Sequence, residues 1–337
     1  MKKLKAAIVG CGGIAQTHGE MLSQQETAQL VAFADIKPER ARAMADTYGG
    51  NAYGSLEEML AQEEIDVLHI CTPHPLHTPM AKLAAAKGIH VFTEKPPAVN
   101  EAQWAEFAAL KDSGVQVGIC FQNRYNAATE FLKDLLTAGK PGKILGARAF
   151  VTWRRDPPYY TESDWRGSLT TEGGGVLINQ SIHTLDLLCW FLGKANKVDA
   201  SLSNHHLKDI IEVEDTFEAL ADFGGVPAVF YATTAHAADS PVLFELVCEN
   251  AVLRMEDQEV TVRWKDGGVE HHRLAAPVSP TTGKSYWGSS HGLCMGDFYN
   301  SILQNKAFRN DIPGVENTVN LMLAAYRSAR EHREITL

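Results

Sequence analysis

A lysine at the end of a short apolar run is the residue of this chain best placed for proton chemistry. Residues 91–97 read VFTEKPP, and the two prolines, which carry no amide hydrogen, must end a buried strand near Lys95. Ligands of an open parallel sheet bind at the carboxyl ends of its strands, so Lys95 would face whatever the sheet binds. The alternative is an ordinary solvated lysine. The neighbouring motifs decide between these two interpretations.

A glycine-rich turn near the start of the chain could hold a phosphate group. A strand predicted over residues 5–9 is followed by GCGGIA at residues 10–15, which has the form GxGxxA. Glycines let the backbone turn tightly and approach a pyrophosphate, and the N-terminus of the following helix supplies amide donors. The alternative is an ordinary glycine turn. The residues predicted here to bind a cofactor are Gly10, Gly12, Gly13 and Ile14.

An acid at the end of the second predicted strand strengthens this prediction. The strand at residues 30–34 runs into Asp35, and 35 minus 15 places that carboxylate twenty residues after Ala15, as the ribose contact of a dinucleotide requires. A carboxylate accepts a hydrogen bond from the ribose 2′-hydroxyl and repels a 2′-phosphate, which favours NAD over NADP. Lys37 would soften this preference, so NADP is the alternative cofactor.

Length and charge exclude several classes of protein. At 337 residues the chain is long for a single core, which predicts two domains. Acidic residues outnumber basic ones by 41 to 31, which argues against a nucleic-acid partner. No apolar run is long enough to span a bilayer, so no membrane partner is expected. The first residues superficially resemble a signal peptide, but glycines from Gly10 onward break the apolar run and favour a strand.

The cysteines and histidines show no metal-binding pattern. The six cysteines are scattered without a CxxC pair, and the doublets His205-His206 and His271-His272 lack the spacing of metal ligands. Several cysteines lie in apolar, strand-like runs, as small core residues do in a reducing compartment. We therefore expect a cytoplasmic protein without a bound metal.

Strands and helices alternate along the first part of the chain. This alternation continues to Phe121 and predicts a doubly wound parallel sheet in a domain of residues 1–122. Ser55 and Thr78 are predicted to cap helices within it. After a helix predicted to end near residue 138, the chain reads mainly as strands with tight turns to about residue 274, and helices are predicted at about 291–305 and 315–331. Residues 123–337 are therefore predicted to form a substrate-binding and oligomerisation α+β domain with a large, mostly antiparallel open sheet. The strands predicted there span residues 144–153, 216–223, 228–234, 243–248, 251–255 and 259–264.

One predicted helix carries polar side chains although it is otherwise apolar. It spans residues 176–192, after a triple glycine at residues 173–175. Asn179, His183 and Asp186 fall at positions i, i+4 and i+7 and therefore share one stripe. The alternative is a core network whose hydrogen bonds are satisfied internally. A ligand site is the preferred interpretation, because glycines let a backbone pass close to a bound molecule.

In this order and at this spacing, the motifs resemble those of the Gfo/Idh/MocA family of nicotinamide-dependent sugar and cyclitol oxidoreductases. The resemblance implies an N-terminal Rossmann domain and a lysine at the nicotinamide that helps to move the proton of a substrate hydroxyl. It also implies a Lys-Pro bond that is often cis, which X-Pro bonds adopt at small cost. The matching residues are Gly10, Gly12, Ala15, Asp35, Thr72, Pro73, His77, Gly88 to Val91 and Glu94 to Pro96.

The resemblance extends to the second half of the chain. His183 corresponds to the family's catalytic histidine, and Asn179 replaces the acid of inositol-dehydrogenase-like members, although its amide can still hold a sugar hydroxyl. Trp165-Arg166 resembles a pair that packs on the nicotinamide half of the cofactor. The other cofactor contacts that the resemblance implies are Thr72, Pro73, His77, Glu94 and Lys95. The implied substrate contacts are Lys95, Arg124, Tyr160, Asn179, His183 and Tyr286.

The predicted reaction is oxidation of a secondary alcohol on a sugar, sugar derivative or cyclitol, with hydride passing to the nicotinamide. The proton acceptor is Lys95 or His183, since either side chain can reach a pKa near the operating pH. Relatives that cleave glycosides with the same cofactor, and relatives that only sense sugars or nucleotides, supply the alternative functions. An exposed apolar sheet face is typical of an interaction surface. Together with family analogy, this predicts a homodimer or homotetramer that associates through the open sheet.

Overall fold

The computed structural model describes residues 3–275 and 290–337. The chain divides into two compact units: the described part of the first comprises residues 3–122 and 290–316, and that of the second comprises residues 123–275 and 317–337. Tyr286 lies outside the described residues, so its predicted contact with substrate stays a prediction.

The first unit is built on a parallel sheet. Its strands are β1 (Leu4–Val9), β2 (Ala28–Ala34), β3 (Asn51–Tyr53), β4 (Val67–Ile70), β5 (His90–Thr93) and β6 (Val117–Ile119). Their order across the sheet is β3-β2-β1-β4-β5-β6, and every neighbouring pair is parallel. The chain winds outward from β1 in one direction and then from β4 in the other, which is the dinucleotide-binding order. The predicted doubly wound sheet is confirmed.

Helices follow most strands of the first unit and also occur in the second. In chain order they are α1 (Gly13–Ser23), α2 (Pro38–Tyr48), α3 (Leu56–Gln62), α4 (His77–Ala86), α5 (Glu101–Ala108), α6 (Ala127–Thr137), α7 (Pro157–Thr161), α8 (Ile182–Leu192), α9 (His291–Gln304) and α10 (Ile312–Glu331). Every residue of β4 is buried, as expected of a parallel strand that helices cover on both faces. No helix among the described residues is both long and apolar enough to cross a bilayer.

The start of one helix differs from its prediction. Ser55 Oγ accepts the amide hydrogen of Glu58 at 3.1 Å, so the predicted cap of α3 is confirmed. The predicted cap of the later helix is wrong: Thr78 lies inside α4, and its hydroxyl donates to the carbonyl oxygen of Pro97 at 2.9 Å. A 3₁₀ turn, His74–Leu76, leads directly into α4 and makes a side-chain cap unnecessary.

The second unit contains a larger sheet. Its strands are β7 (Ile144–Thr152), β8 (Lys197–Ser203), β9 (Thr216–Asp222), β10 (Pro227–Thr233), β11 (Leu243–Cys248), β12 (Ala251–Glu256), β13 (Glu259–Trp264), β14 (Val269–Arg273) and β15 (Ile335–Thr336). Their order is β14-β13-β12-β11-β7-β10-β9-β8-β15. β7 and β10 are parallel, while the other neighbouring pairs are antiparallel. The predicted, mostly antiparallel sheet is confirmed.

The two faces of this sheet differ in burial. Successive side chains of a strand point to opposite faces, and in β7 Ala147, Ala149 and Val151 are buried while residues between them are not. The helix α8 packs against β7. On the other face Leu220 of β9 and Val229 of β10 pair directly and are 55% and 46% exposed. The outer face therefore presents apolar side chains to solvent.

Candidate functional site

The turn between β1 and α1 leaves room for a ligand. Gly10 has a φ of +83°, and a Cβ there would lie 2.7 Å from the carbonyl carbon and oxygen of Cys71, so only glycine fits. At Gly12 and Gly13, by contrast, a Cβ would meet no heavy atom of the described residues within 4 Å. Gly12 precedes α1 and has no side chain to cap it, so amides of α1 can donate to an anion. Ile14 follows in the same turn.

Asp35 lies beside this turn, at the carboxyl end of β2. One of its carboxylate oxygens accepts the amide hydrogen of Cys11 at 2.7 Å, and the other accepts that of Lys37 at 2.8 Å. The carboxylate is therefore held at the position where a ribose hydroxyl is predicted to bind. Burial, and then the charge of Asp35, raise the pKa of the Cys11 thiol to about 12. The Cys11 thiol is therefore uncharged, and the residue only lines the glycine turn.

A buried histidine joins the loops that follow β4 and β5. His77 Nδ1 lies 2.7 Å from the carbonyl oxygen of Pro96, and its Nε2 lies 2.8 Å from that of Thr72. Burial lowers the pKa of His77 although both carbonyls oppose the shift. Since carbonyl oxygens only accept, a neutral ring donates to one of them at a time. Through these contacts His77 holds the two loops together. The cofactor contacts predicted for Thr72, Pro73 and His77 stay predictions.

Lys95 lies directly after β5, and its peptide bond to Pro96 is cis, as predicted. Carboxyl ends of parallel strands lie along one edge of a sheet. The glycine turn after β1, Asp35 after β2, Thr72 after β4 and Lys95 after β5 therefore share an edge. The first unit thus brings together predicted cofactor residues that are distant in the sequence.

Glu94, which precedes Lys95, ends a chain of buried hydrogen bonds. Glu94 Oε1 lies 3.0 Å from His18 Nε2, the Nδ1 atoms of His18 and His69 lie 2.9 Å apart, and His69 Nε2 lies 3.0 Å from the Tyr299 hydroxyl. Burial alone would raise the pKa of Glu94, but the hydrogen bond from His18 and the nearby His18, His291 and Lys95 hold it well below its ordinary range. Glu94 is therefore an anion beside Lys95.

His18, His69 and Tyr299 were not predicted from the sequence to belong to the site. The available signal was polarity at buried positions: His69 lies within the apolar strand β4, and His18 lies on the buried side of α1. Their partners are 51, 76 and 230 residues away in the chain. No local periodicity could have identified those pairings.

One buried group in the described part of the chain has the mixed donors of a metal site. Donor atoms of His18, Glu94 and Cys120 all lie within 4.8 Å of one another. The His18–Glu94 separation of 3.0 Å is that of a hydrogen bond. Burial raises the pKa of the Cys120 thiol well above its ordinary value. The His18–Glu94 distance assigns these two residues to the hydrogen-bond chain described above.

In the second unit the predicted helix at residues 176–192 begins differently from expectation. Its first part, Val176–Ser181, is π-helical and leads into α8. The Glu214 carboxylate accepts the amide hydrogens of Gly175 and Leu177 at 2.8 and 3.1 Å, which holds this first turn in place. π-helical turns are rare and are frequent at functional sites. Asn179 lies in this turn, and His183 lies in the first turn of α8.

Asn179 contacts a carboxylate that the sequence analysis did not single out. Its side-chain amide donates to Glu172, and the other oxygen of Glu172 accepts the amide hydrogen of Gly167. Burial raises the pKa of Glu172 to about 7, against the lowering effect of these two hydrogen bonds. A buried carboxylate is therefore present beside Asn179 even though position 179 itself is an amide.

Asp186, the third member of the predicted polar stripe, lies in a buried ion pair. Arg124 Nε donates to Asp186 Oδ2 at 2.7 Å and Nη2 donates to Oδ1 at 2.5 Å, while the Thr318 hydroxyl donates to Oδ1 at 2.7 Å. The side chains of Arg124 and Asp186 are 2% and 1% exposed. Asp186 therefore belongs to a buried network whose hydrogen bonds are satisfied within the protein, which was the alternative interpretation of the polar stripe. The predicted contact of Arg124 with substrate stays a prediction.

The segment before the triple glycine is rich in aromatic contacts. The guanidinium carbon of Arg166 lies 4.3 Å from the ring centre of Tyr159 and 5.1 Å from that of Trp165, which is stacking distance. Tyr160 is buried in a cluster with Leu207, Ile211 and Val213, and its hydroxyl donates to Thr234 Oγ1 at 3.3 Å. Tyr160 thus packs in the core of this segment, and its predicted substrate contact stays a prediction.

Two family models match this chain. Residues 4–121 match an oxidoreductase family described as an NAD-binding Rossmann fold, GFO_IDH_MocA, and residues 129–254 match the GFO/IDH/MocA C-terminal domain. The two matches do not overlap, and the first covers the glycine turn, Asp35 and Lys95.

Several similar proteins are named as dehydrogenases. A D-glucoside 3-dehydrogenase of Escherichia coli (strain K12) is 31% identical over 56% of this chain and 54% of that enzyme, so the chain spans about half of its length. A trans-1,2-dihydrobenzene-1,2-diol dehydrogenase of Mus musculus is 32% identical over 67% of each chain. The WlbA dehydrogenase of Bordetella pertussis, crystallised with NADH and UDP-GlcNAcA, superposes with a TM-score of 0.86 at 27% identity, over 100% of this chain and 99% of that one. The matched domains and these relatives show that the chain belongs to the Gfo/Idh/MocA family of oxidoreductases.

Proposed function

We propose that this protein is an NAD-dependent dehydrogenase that oxidises a secondary hydroxyl of a sugar, sugar derivative or cyclitol. The observation that carries the proposal is the position of Lys95, on the same edge of the parallel sheet as the glycine turn and Asp35. Relatives named for a glucoside and a diol, and a solved relative that holds a nucleotide sugar, support the substrate class.

The residues at this edge fit NAD. Gly12 and Gly13 add no Cβ where a pyrophosphate would lie, and Asp35 is held where a ribose hydroxyl can donate to it. The carboxylate favours NAD over NADP, because a 2′-phosphate would meet its negative charge. Trp165 and Arg166 are the residues of the second unit proposed to pack on the nicotinamide half. When bound, NAD supplies the hydride acceptor at C4 of its nicotinamide ring.

Lys95 is proposed to take the proton of the substrate hydroxyl. A base of this kind works best when its pKa lies near the operating pH. The anionic Glu94 precedes Lys95 in the chain, and the charges of the two residues interact. His183, which is 6% exposed on α8, is the alternative base or the group that orients the hydroxyl. Asn179 is proposed to hold a second hydroxyl through its amide.

The proposal is tested first at Lys95. Lys95→Ala removes the base and should lower kcat by about 10²- to 10⁴-fold, while NAD affinity stays within about twofold because the glycine turn and Asp35 are intact. The measurements are NADH formation with methyl glucosides, UDP-GlcNAcA, a trans-dihydrodiol and inositol, and NAD binding by calorimetry. Lys82→Ala is the matched control, since Lys82 forms an exposed ion pair with Glu106. Near-normal turnover of Lys95→Ala would remove this lysine from the mechanism.

The same panel separates the two rival functions. A glycosidase that uses the cofactor transiently would release sugar without net NADH formation. A sensor would bind a panel compound without converting it. Net reduction of NAD is the result expected here.

We also propose that the protein associates with copies of itself through the outer face of the large sheet. Exposed apolar side chains of β9 and β10 support this, since a large apolar patch marks an interaction site. A cytoplasmic location is proposed because all six cysteines are buried and unbridged, as in reducing compartments.

A further inference from the structure

Glu172 is a buried carboxylate with a defined orientation. It immediately precedes the triple glycine and is 0% exposed. Its Oε1 accepts a hydrogen bond from Asn179 Nδ2 and its Oε2 accepts one from the Gly167 amide. It therefore links the segment that carries Trp165 and Arg166 to the π-helical turn that carries Asn179.

A carboxylate constrains the amide that contacts it. Ionised, it can only accept, so the NH₂ group of Asn179 must face Glu172. The amide is planar, and its acceptor Oδ1 is therefore turned away from Glu172. Because Oδ1 is an acceptor, it can accept a hydrogen bond from a sugar hydroxyl. If the amide were turned round, its NH₂ group would face the substrate, and Oδ1 would face the carboxylate oxygens of Glu172, which are also acceptors.

We propose that Glu172 is a positioning residue that sets the amide of Asn179 so that Oδ1, and not Nδ2, is offered to a hydroxyl of the substrate. The inference rests on the proposed function and adds a specificity determinant to it. Substrates that place a hydroxyl donor opposite Asn179 are favoured over deoxy analogues at that position.

The charges around Glu172 make this orientation depend on pH. Burial raises the pKa of Glu172 to about 7, the Gly167 and Asn179 hydrogen bonds oppose the shift, the charge of Glu214 adds to it, and Arg166 opposes it. The phenols that interact with Glu172 are Tyr160 and Tyr326. Above pH 7 the carboxylate fixes the amide. Below pH 7 the carboxylic acid can donate to Oδ1, so both amide orientations become accessible and substrate binding weakens.

The inference is tested with Glu172→Gln. Glutamine has the same shape, but its single carbonyl oxygen accepts from Gly167, so its NH₂ group faces Asn179 and selects the reversed amide orientation, with Nδ2 towards the substrate. The KM for the panel compound with the highest turnover should rise about tenfold, which corresponds to ~1.4 kcal/mol. kcat and NAD affinity should change by less than about twofold. In the wild type KM should rise as pH falls through 7, and in the variant that dependence should disappear.

Two further variants complete the experiment. Glu172→Gln combined with Asn179→Asp reverses the hydrogen bond, because the glutamine amide then donates to a carboxylate that also offers an acceptor to the substrate. Its KM should return towards the wild-type value. Glu212→Gln is the matched control, since Glu212 is an exposed acid that accepts from Ser168 and Leu169 of the same segment.

The outcomes distinguish this inference from the proposed function. If the wild type neither reduces NAD nor binds any panel compound, the proposed function fails and the inference fails with it. If the wild type turns over and Glu172→Gln keeps its KM, only the inference is overturned. Equal losses of kcat, NAD affinity and thermal stability would also overturn it, because they indicate a purely structural role. Should Glu172→Gln not fold, a wild-type KM that stays flat between pH 6 and 8 overturns it.

Discussion

Glu94 and Lys95 are adjacent residues whose charges act on each other. Glu94 is held as an anion by His18, which in turn contacts the neutral His69, whose pKa is lowered by burial. A nearby anion favours the ammonium form of a lysine. The network therefore places a fixed negative charge directly beside the Lys95 amine.

Removing this anion should change the pH dependence of the reaction. Glu94→Gln removes a negative charge beside the Lys95 amine, which disfavours the ammonium form, so the acidic limb of kcat/KM should shift to lower pH. The measurement is the pH profile of NADH formation for wild type and variant. An unmoved limb would assign the proton acceptor to His183 instead. Glu106→Gln, an exposed acid of α5, is the control and should leave the profile unchanged.

Single residues also show what the sequence could reveal. Gly10, Asp35 and Lys95 were predictable because each is marked by a local pattern: a glycine motif, a spacing of twenty residues, and a proline stop. Glu172 was not predictable, since its role depends on meeting Asn179 and Gly167 in three dimensions. Tertiary contacts of this kind leave no periodic signal in the chain.

At the scale of elements, the β1–α1 turn contains two glycines with different reasons to be glycine. Gly10 has a positive φ and lies against the Cys71 carbonyl, so the fold itself requires glycine at this position. Gly12 has ordinary dihedral angles and open space where a Cβ would lie. Glycine is therefore required at this position by a bound ligand and not by the fold.

The two glycines should therefore respond differently to alanine. Gly12→Ala should leave the melting temperature unchanged and weaken NAD binding at least about tenfold, or ~1.4 kcal/mol, because the methyl group occupies the space of the pyrophosphate. Gly10→Ala should instead lower stability by ~1–3 kcal/mol through backbone strain alone, and further through its contact with Cys71. Thermal unfolding and NAD calorimetry check both. Normal NAD binding by Gly12→Ala would place the cofactor elsewhere.

The helix at residues 176–192 shows where element prediction stopped. Its apolar composition and its end before Gly193 were read correctly. Its π-helical first turn was not, because the amides there are held by Glu214, a residue 37 positions away from Leu177. The strand β8 was also missed, although its sequence KVDASLS alternates polar and apolar side chains as a half-buried strand does.

At the scale of the whole molecule, the chain returns to its first unit late in the sequence. Residues 290–316 belong to that unit: the Tyr299 hydroxyl contacts His69, and the Asn310 amide donates to the carbonyl oxygen of Phe121 at 3.1 Å. The composition of this segment does not distinguish it from its neighbours. Its assignment depends on contacts across about 190 residues of chain, which a sequence pattern does not report.

The outer face of the large sheet leads to a prediction about assembly. Leu220 and Val229 pair across β9 and β10, and beside them Phe150 and Tyr231 lie 6.3 Å apart in an edge-to-face arrangement. A surface of this kind is suited to an interface between identical copies, where each residue appears on both sides of a two-fold axis. We therefore expect a dimer or tetramer by sedimentation velocity. A monomeric wild type at high concentration would refute this expectation.

Leu220→Lys tests which surface forms that assembly. In a two-fold interface one substitution buries two lysines, and each unpaired buried charge costs about 3–5 kcal/mol. The variant should therefore sediment as a smaller species while its melting temperature changes little, since Leu220 is 55% exposed in the single chain. Leu303→Lys is the matched control, because Leu303 is a comparable exposed leucine on α9, 39% exposed, and lies outside the large sheet. If Leu220→Lys keeps the wild-type sedimentation coefficient while Leu303→Lys loses it, the interface involves α9 and the proposed role of the outer sheet face is wrong.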